Sequence, residues 1–346
     1  MRTLLLILLA FPALAATNRT VTVKPSGGDY TSLAAAIAGE KGDMVSLDRQ
    51  LTIECYAMAD AGGAALFANA DWVTDATRYV LVTVPTSERH GGGWNTSKYY
   101  LPVEGIALRV HSTEFVRIDG VQIYSTGDNS TFYVGGPDSG AGDIRISNSI
   151  IRGSSSSGYR GVFNASYVGG SSMVVRAWNN LVYGASSSGI GRGVQVDIAG
   201  TYNFWNNTIA GCAVGIFTGV SAGNLIFVNT LFTGNAVTGD TANKALAAGT
   251  DYNRTSNSSL GYTVTGSGNT HDAVSQTFTF ANAAAYNWHL TVDDAGAKNL
   301  GVSDPGSGLF STDVDGETRS GSWDVGFDEY PSATRRRNAV VAWRRP

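Results

Sequence analysis

Charge is scarce in this chain: Asp, Glu, Lys and Arg make up 15% of its 346 residues, against about 25% in an ordinary soluble domain. With Gly at 43 positions and abundant Ser, Thr and Asn, that scarcity disfavours a helical bundle, since these residues are mediocre or poor helix formers. Only two cysteines occur, Cys55 and Cys212, too few for a disulfide-built scaffold. No basic excess invites nucleic acid, because 24 Lys and Arg stand against 28 Asp and Glu. No stretch approaches the about 20 consecutive apolar residues of a membrane-spanning helix. Apolar residues still amount to 43%, enough to bury a large core, and this excludes wholesale disorder.

The first fifteen residues carry an address. Met1-Arg2 is a short basic start, Leu4 to Leu9 with Phe11 forms a compact apolar stretch, and Ala13-Leu-Ala15 supplies small residues for cleavage. This is the pattern of a secretory signal peptide over 1–15. The expected location is extracellular or at the cell surface, with no transmembrane anchor.

The strongest internal signal is a repeat. Four segments align: Ile146-Ser-Asn-Ser-Ile-Ile-Arg-Gly153, Ala177-Trp-Asn-Asn-Leu-Val-Tyr-Gly184, Phe204-Trp-Asn-Asn-Thr-Ile-Ala-Gly211 and Phe227-Val-Asn-Thr-Leu-Phe-Thr-Gly234. A degenerate copy begins at Arg117. The polar third position reads Asp119, Asn148, Asn179, Asn206 and Asn229, at spacings of 29, 31, 27 and 23 residues. Each unit reads as strand, turn and strand, β-branched or aromatic and bounded by Gly, Ser or Asn. Such a unit cannot bury its apolar face alone, but stacked units can. With no helix between strands, the pattern predicts an all-β right-handed parallel β-helix whose coils lie about 4.8 Å apart. Asn would then stack on Asn in a hydrogen-bonded ladder. A leucine-rich repeat lacks its L-x-x-L-x-L signature here, and a β-sandwich would not explain the recurring Asn.

On these residues the chain resembles the right-handed parallel β-helix superfamily of pectate lyases, pectin methylesterases and many phage tailspikes. Gly27-Gly-Asp-Tyr-Thr-Ser-Leu-Ala-Ala-Ala-Ile37 is similar to its openings, which implies a short amphipathic N-terminal helical cap with Leu33 and Ile37 on one face and Asp29 or Thr31 as cap residue. Asp313-Val-Asp-Gly-Glu-Thr-Arg319 and Trp323-Asp-Val-Gly-Phe-Asp-Glu-Tyr330 resemble the terminal segment of secreted bacterial β-helix repeat proteins of poorly defined function. The expected organisation is signal peptide 1–15, N-terminal cap and first strands 16–78, β-helix 79–310, C-terminal capping segment 311–334 and basic tail 335–346. Cys55 and Cys212 would lie several rungs apart, beyond the roughly 7 Å a disulfide spans, which predicts two free, buried thiols.

Chemistry is less legible. The loop from Thr86 to Tyr100 places Arg89, His90 and Lys98 beside Trp94 on a Gly-rich projection, making these three the candidate catalytic groups of a lyase. A lyase would need a base and a cation to hold an enolate, with Ca²⁺ as a possible cofactor. Trp94, Tyr99, Arg145, Arg160 and Arg192 are candidate substrate contacts. Arg145 and Arg176 are read as occupying non-equivalent sites of their units. Asp313-x-Asp-Gly lacks the rest of a Ca²⁺ loop and reads as a tight turn. His111, His271 and His289 show no metal-ligand spacing, so no metal site is assigned. The motifs of polygalacturonase-like and methylesterase-like sites are absent. The tail from Arg335 carries five Arg and no acid, either a solvated terminus or an adhesive one.

The resulting expectation is an exported protein presenting a lengthwise groove to a polysaccharide or cell-surface glycan, as a binding or structural protein. A polysaccharide lyase cleaving acidic glycan by β-elimination is the alternative, and a tailspike-like virion or filament component a further one.

Overall fold

The computed structural model describes residues 16–331 except 69–70, 112–114, 128, 136–141, 155–159, 167–172, 185–190, 242 and 267–268. The expected signal peptide and basic tail lie outside the described residues. Within them, three parallel sheets of eight, seven and seven strands run side by side, and successive coils contribute one strand to each. This is an all-β solenoid of stacked parallel sheets.

Side-chain register shows why the repeat folds this way. In the first sheet, Val21, Ile53, Val82, Ile118, Ile146, Ala177, Phe204 and Phe227 are successive register partners, and all are buried. Phe204 and Phe227 stack with centroids 4.5 Å apart and planes within 5°. The second sheet points Leu101, Ile123, Ile151, Val182, Ile209 and Phe232 inward in the same way. Each buried Val, Leu, Ile or Phe contributes about 1.5–3 kcal/mol of transfer free energy, and no single coil could bury these faces alone.

The recurring Asn has a backbone cause. Asn148, Asn179, Asn206 and Asn229 turn the chain from the first sheet into the second with φ between 49° and 53°, a left-handed conformation that Asn tolerates better than most residues. Their amides bond along the stack: Asn179 Nδ2 donates to Asn148 Oδ1 at 3.1 Å and Asn229 Nδ2 to Asn206 Oδ1 at 3.2 Å. Asp119 is not a member of this file. It pairs with Ser147, so Gly120 (φ 76°) stands opposite Asn148. The left-handed turn had selected Gly in that coil, which shifts the alignment by one. Asp119 instead ends the ladder as acceptor for Asn148 Nδ2 at 2.7 Å.

A second polar file, one residue further on, points inward: Ser149, Asn180, Asn207, Thr230 and Asn253, all 0–1% exposed. Asn180 Oδ1 accepts the Ser149 N–H at 3.0 Å and its Nδ2 donates to the Ile146 carbonyl at 3.0 Å. Asn207 and Asn253 repeat the pattern one and three coils later. The amide oxygens satisfy backbone N–H groups that the corner takes out of the sheet ladders.

Paired parallel strands run from Thr17 to Thr255 and isolated parallel bridges continue to Ala273, so stacking begins well before residue 79 and stops short of residue 310. The helix α1 (Leu33–Glu40) buries Leu33, Ala36 and Ile37, and its N-cap is Ser32, whose side chain accepts the Ala35 N–H. Asp29 bonds Thr22 instead. Cys55 and Cys212 are both buried and neither is in a disulfide; they lie five rungs apart in strand order, or about 24 Å at the rung spacing.

Residues beyond the last coil fold back along the solenoid. Thr312 O accepts from Asn179 Nδ2, Asp324 O from Asn206 Nδ2 and Val302 O from Asn229 Nδ2, at 2.7, 2.9 and 2.7 Å. Leu290, Val314, Val325 and Phe327 cover Ile150, Leu181 and Leu231 on the outside of the second sheet. The segment is thus a lateral cover over the Asn corner.

Candidate functional site

The loop from Thr86 to Tyr100 continues that cover. Arg89 ion-pairs with Asp119 and donates from Nε to the Val84 carbonyl at 2.9 Å. His90 is buried, with Nδ1 accepting the Gly92 N–H at 3.0 Å and Nε2 donating to the Asn148 carbonyl at 2.9 Å. Burial pushes its imidazole down to about 4, so it is neutral at pH 7. Lys98 donates to the Ser87 carbonyl at 2.7 Å. The three candidate catalytic groups are therefore engaged with the backbone and with Asp119. Tyr99 is 1% exposed and its hydroxyl donates to Asp60 at 2.9 Å, which removes it from any substrate surface.

The candidate substrate contacts fall on three different faces. Arg145 lies on the outside of the first sheet, Arg192 begins a strand of the third and sits 3.3 Å above the Phe217 ring, and Trp94 packs against the second. Arg160 is exposed just before the third-sheet strand Gly161–Ala165. They do not line one groove.

Trp94 belongs to a more convergent arrangement. Tyr124, Arg152, Tyr183 and Ala210 are register partners at the ends of four successive second-sheet strands, and their side chains face outward from neighbouring rungs. The antiparallel hairpin of Phe280–Asn282 and Asn287–Leu290 adds Tyr286, left-handed at φ 59°, and Trp288. The Arg152 guanidinium lies 4.5 Å from the Tyr124 ring centre, 4.9 Å from Tyr286, 5.2 Å from Trp94 and 5.8 Å from Tyr183. Trp94 meets Tyr124 edge to face at 5.9 Å.

Tyr124, Arg152, Tyr183, Tyr286 and Trp288 line an open cleft of about 510 Å³ together with Thr126, Ser154 and small residues. Among its described lining residues there is no carboxylate, histidine or lysine. The Tyr183 hydroxyl and Trp288 Nε1 are buried without hydrogen-bond partners, and burial raises the Tyr183 phenol far above its usual range. A permanently charged guanidinium, held by aromatic faces worth about 0.5–1 kcal/mol each at exposed sites, is available to an incoming anion or hydroxyl. The sequence points to Trp94 as a substrate contact and marks Arg152 as one of a scattered set of arginines, but assigns no role to Arg152, Tyr124 or Tyr183. Their shared signal was the third residue of the second-sheet strand in each repeat unit.

On the first sheet a second basic feature appears. Arg117, Arg145 and Arg176 are register partners on adjacent rungs, each three residues before its turn residue, so Arg145 and Arg176 are equivalent after all. Asp143 pairs with both Arg145 and Arg176. Arg117 lies 3.4 Å over the Tyr79 ring, and its desolvation, then Arg145, lowers its pKa.

Beneath the cover, Asp313, Asp324 and Glu329 are buried with Arg319, which is 4% exposed. Arg319 Nη1 donates to Glu329 Oε2 at 3.1 Å and Nη2 to Asn179 Oδ1 at 3.0 Å. Asp313 Oδ1 accepts the Asp315 and Glu317 N–H groups at 3.0 and 2.7 Å, so Asp313-x-Asp-Gly is a hydrogen-bonded turn. No helix among the described residues is long and apolar enough to cross a membrane. No protein-family model matches the chain, and no curated protein matches it significantly.

Proposed function

We propose that this protein is an exported right-handed parallel β-helix, of the pectate lyase-like superfamily and with α1 closing its N-terminal end, that binds acidic polysaccharide without cleaving it. The observation that carries the reading is Arg152, set among four aromatic rings in an open cleft whose described lining holds no carboxylate. Aromatic faces stack on sugar rings through their apolar C–H surfaces, and a guanidinium pairs bidentately with a carboxylate or sulfate. Elimination needs a group that accepts the proton beside the carboxylate at working pH. The cleft offers only phenols, one of them held in its protonated form by burial, and this favours retention over turnover. The Arg117, Arg145 and Arg176 file extends positive charge to a neighbouring face, in keeping with a polyanionic partner.

Affinity electrophoresis through gels containing polygalacturonate, alginate or neutral dextran tests the proposal. The full chain is expected to be retarded by an acidic polymer, less so at higher salt, and Arg152→Ala is expected to weaken retardation at least tenfold. Free migration in every acidic gel overturns the reading. Unsaturated product absorbing in the ultraviolet overturns its non-catalytic part.

A further inference from the structure

Three segments far apart in sequence meet where the hairpin, the Asp313 turn and the Gly-rich loop come together. We propose that His289, Asp315 and Asp328 form a Zn²⁺ site. Their ligand atoms all lie within 4.8 Å of one another, although the histidine spacing in sequence gave no hint of it. His289 projects from the strand Asn287–Leu290, Asp315 from the turn and Asp328 from the closing strap.

Two further observations point to a ligand. His289 Nδ1 is held by Asn287 Oδ1 at 2.5 Å, the outer-sphere bond that fixes the tautomer and aims Nε2 outward in metal-ligating histidines. Gly92 crosses directly in front of Nε2, where a Cβ would lie 2.1 Å from that nitrogen, so the loop approaches the imidazole edge only because it has no side chain there.

The donor set selects the ion. One imidazole nitrogen with two carboxylates suits Zn²⁺, whereas Ca²⁺ asks for six to eight oxygens. Asp328 is 5% exposed, with Oδ2 anchored by the Leu290 N–H at 2.7 Å, and Asp315 is exposed, leaving an entry path and room for a water as fourth ligand. Asp315 Oδ2 lies 2.7 Å from His289 Nε2. The ion takes the place of the proton between them, and that proton leaves to solvent.

The experiment is a calorimetric ZnCl₂ titration of the chelator-dialysed full chain, with thermal melts at each end point. Expected are one Zn²⁺ per chain, a dissociation constant of roughly micromolar or tighter, and a higher melting temperature in the loaded protein. Asp315→Asn, at an exposed position, should keep the circular dichroism spectrum while losing at least tenfold in affinity and most of the thermal shift. His289→Gln should do the same, whereas His271→Gln, which alters the separate His271–Asp251 pair, should bind Zn²⁺ as the parent does. Absence of uptake, unchanged uptake by Asp315→Asn, or equal affinity for Ca²⁺ overturns the assignment. Glycan retention plays no part in this readout.

Discussion

His90 illustrates how far a residue's role departs from its chemistry as read in sequence. An Arg-His pair on a Gly-rich loop suggests proton transfer, yet the imidazole is buried, accepts the Gly92 N–H and donates to a carbonyl of the Asn corner. Its folded pKa, pushed down by burial to about 4, lies below the unfolded value of about 6.5. The unfolded chain therefore binds a proton that the folded chain refuses between those values. Stability from this residue is fully present above pH 6.5 and is lost as pH falls towards 4, by on the order of 3 kcal/mol in all. Chemical denaturation of the parent and of His90→Gln across pH 4 to 8 checks this. The variant should be less stable at pH 8, and the gap should shrink by that amount towards pH 4. A constant gap would show that the imidazole titrates normally.

At the level of the corner, two adjacent Asn positions do different work. The outer one is chosen by a left-handed backbone, which is why Gly120 replaces it in one coil and Tyr252, φ 61°, in the last. The inner one supplies hydrogen bonds that no other group can reach. Asn180→Ala leaves the Ser149 N–H buried and unpaired, at about 1–3 kcal/mol, and removes a second donor from the Ile146 carbonyl, which stays in the sheet ladder. Asn148→Gly keeps the turn and loses only ladder bonds at the rim, for about 1–2 kcal/mol. Asn148→Ala should cost about 1–2 kcal/mol more than Asn148→Gly, because Ala resists positive φ. Urea midpoints should place Asn148→Ala below Asn148→Gly, and Asn180→Ala below the parent. The outer file was legible because it recurs at one place in every unit. The inner file hid in the Asn-Asn pairs of two units, with Ser149 and Thr230 interrupting it elsewhere. The one-residue misplacement of Asp119 has the same source, since matching side-chain polarity overlooked the φ that the position demands.

Over the whole molecule, periodic contacts were predictable and aperiodic ones were not. Strand stacking, the inward apolar files and the two separate thiols follow from repetition. The lateral cover does not, because its bonds join residues 73 to 140 positions apart, as between Asn229 and Val302 or Asn179 and Arg319, without any period. The cleft was missed for that reason too, since Tyr286 and Trp288 reach Arg152 only through the fold-back. Arg319 tests how the cover is held. Its removal in Arg319→Ala leaves Glu329 buried without its cation, which typically costs about 3–5 kcal/mol. Hydrogen exchange should accelerate across 287–330 while amides of the first sheet stay protected. Uniform acceleration in both would mean that cover and solenoid unfold as one unit.

Arg319 also settles an ambiguity inherent in a repetitive track. A strap bonded only to identical rungs could dock equally well one step, about 4.8 Å, up or down. The amide chain is broken between Asn179 and Asn206, where Asn179 Oδ1 receives Arg319 Nη2 and Asn206 Nδ2 turns to the Asp324 carbonyl. Moved by one rung, the guanidinium would meet amides that already satisfy each other. A single interruption in the ladder thus acts as a keyway, and it fixes where along the axis the aromatic cleft is assembled.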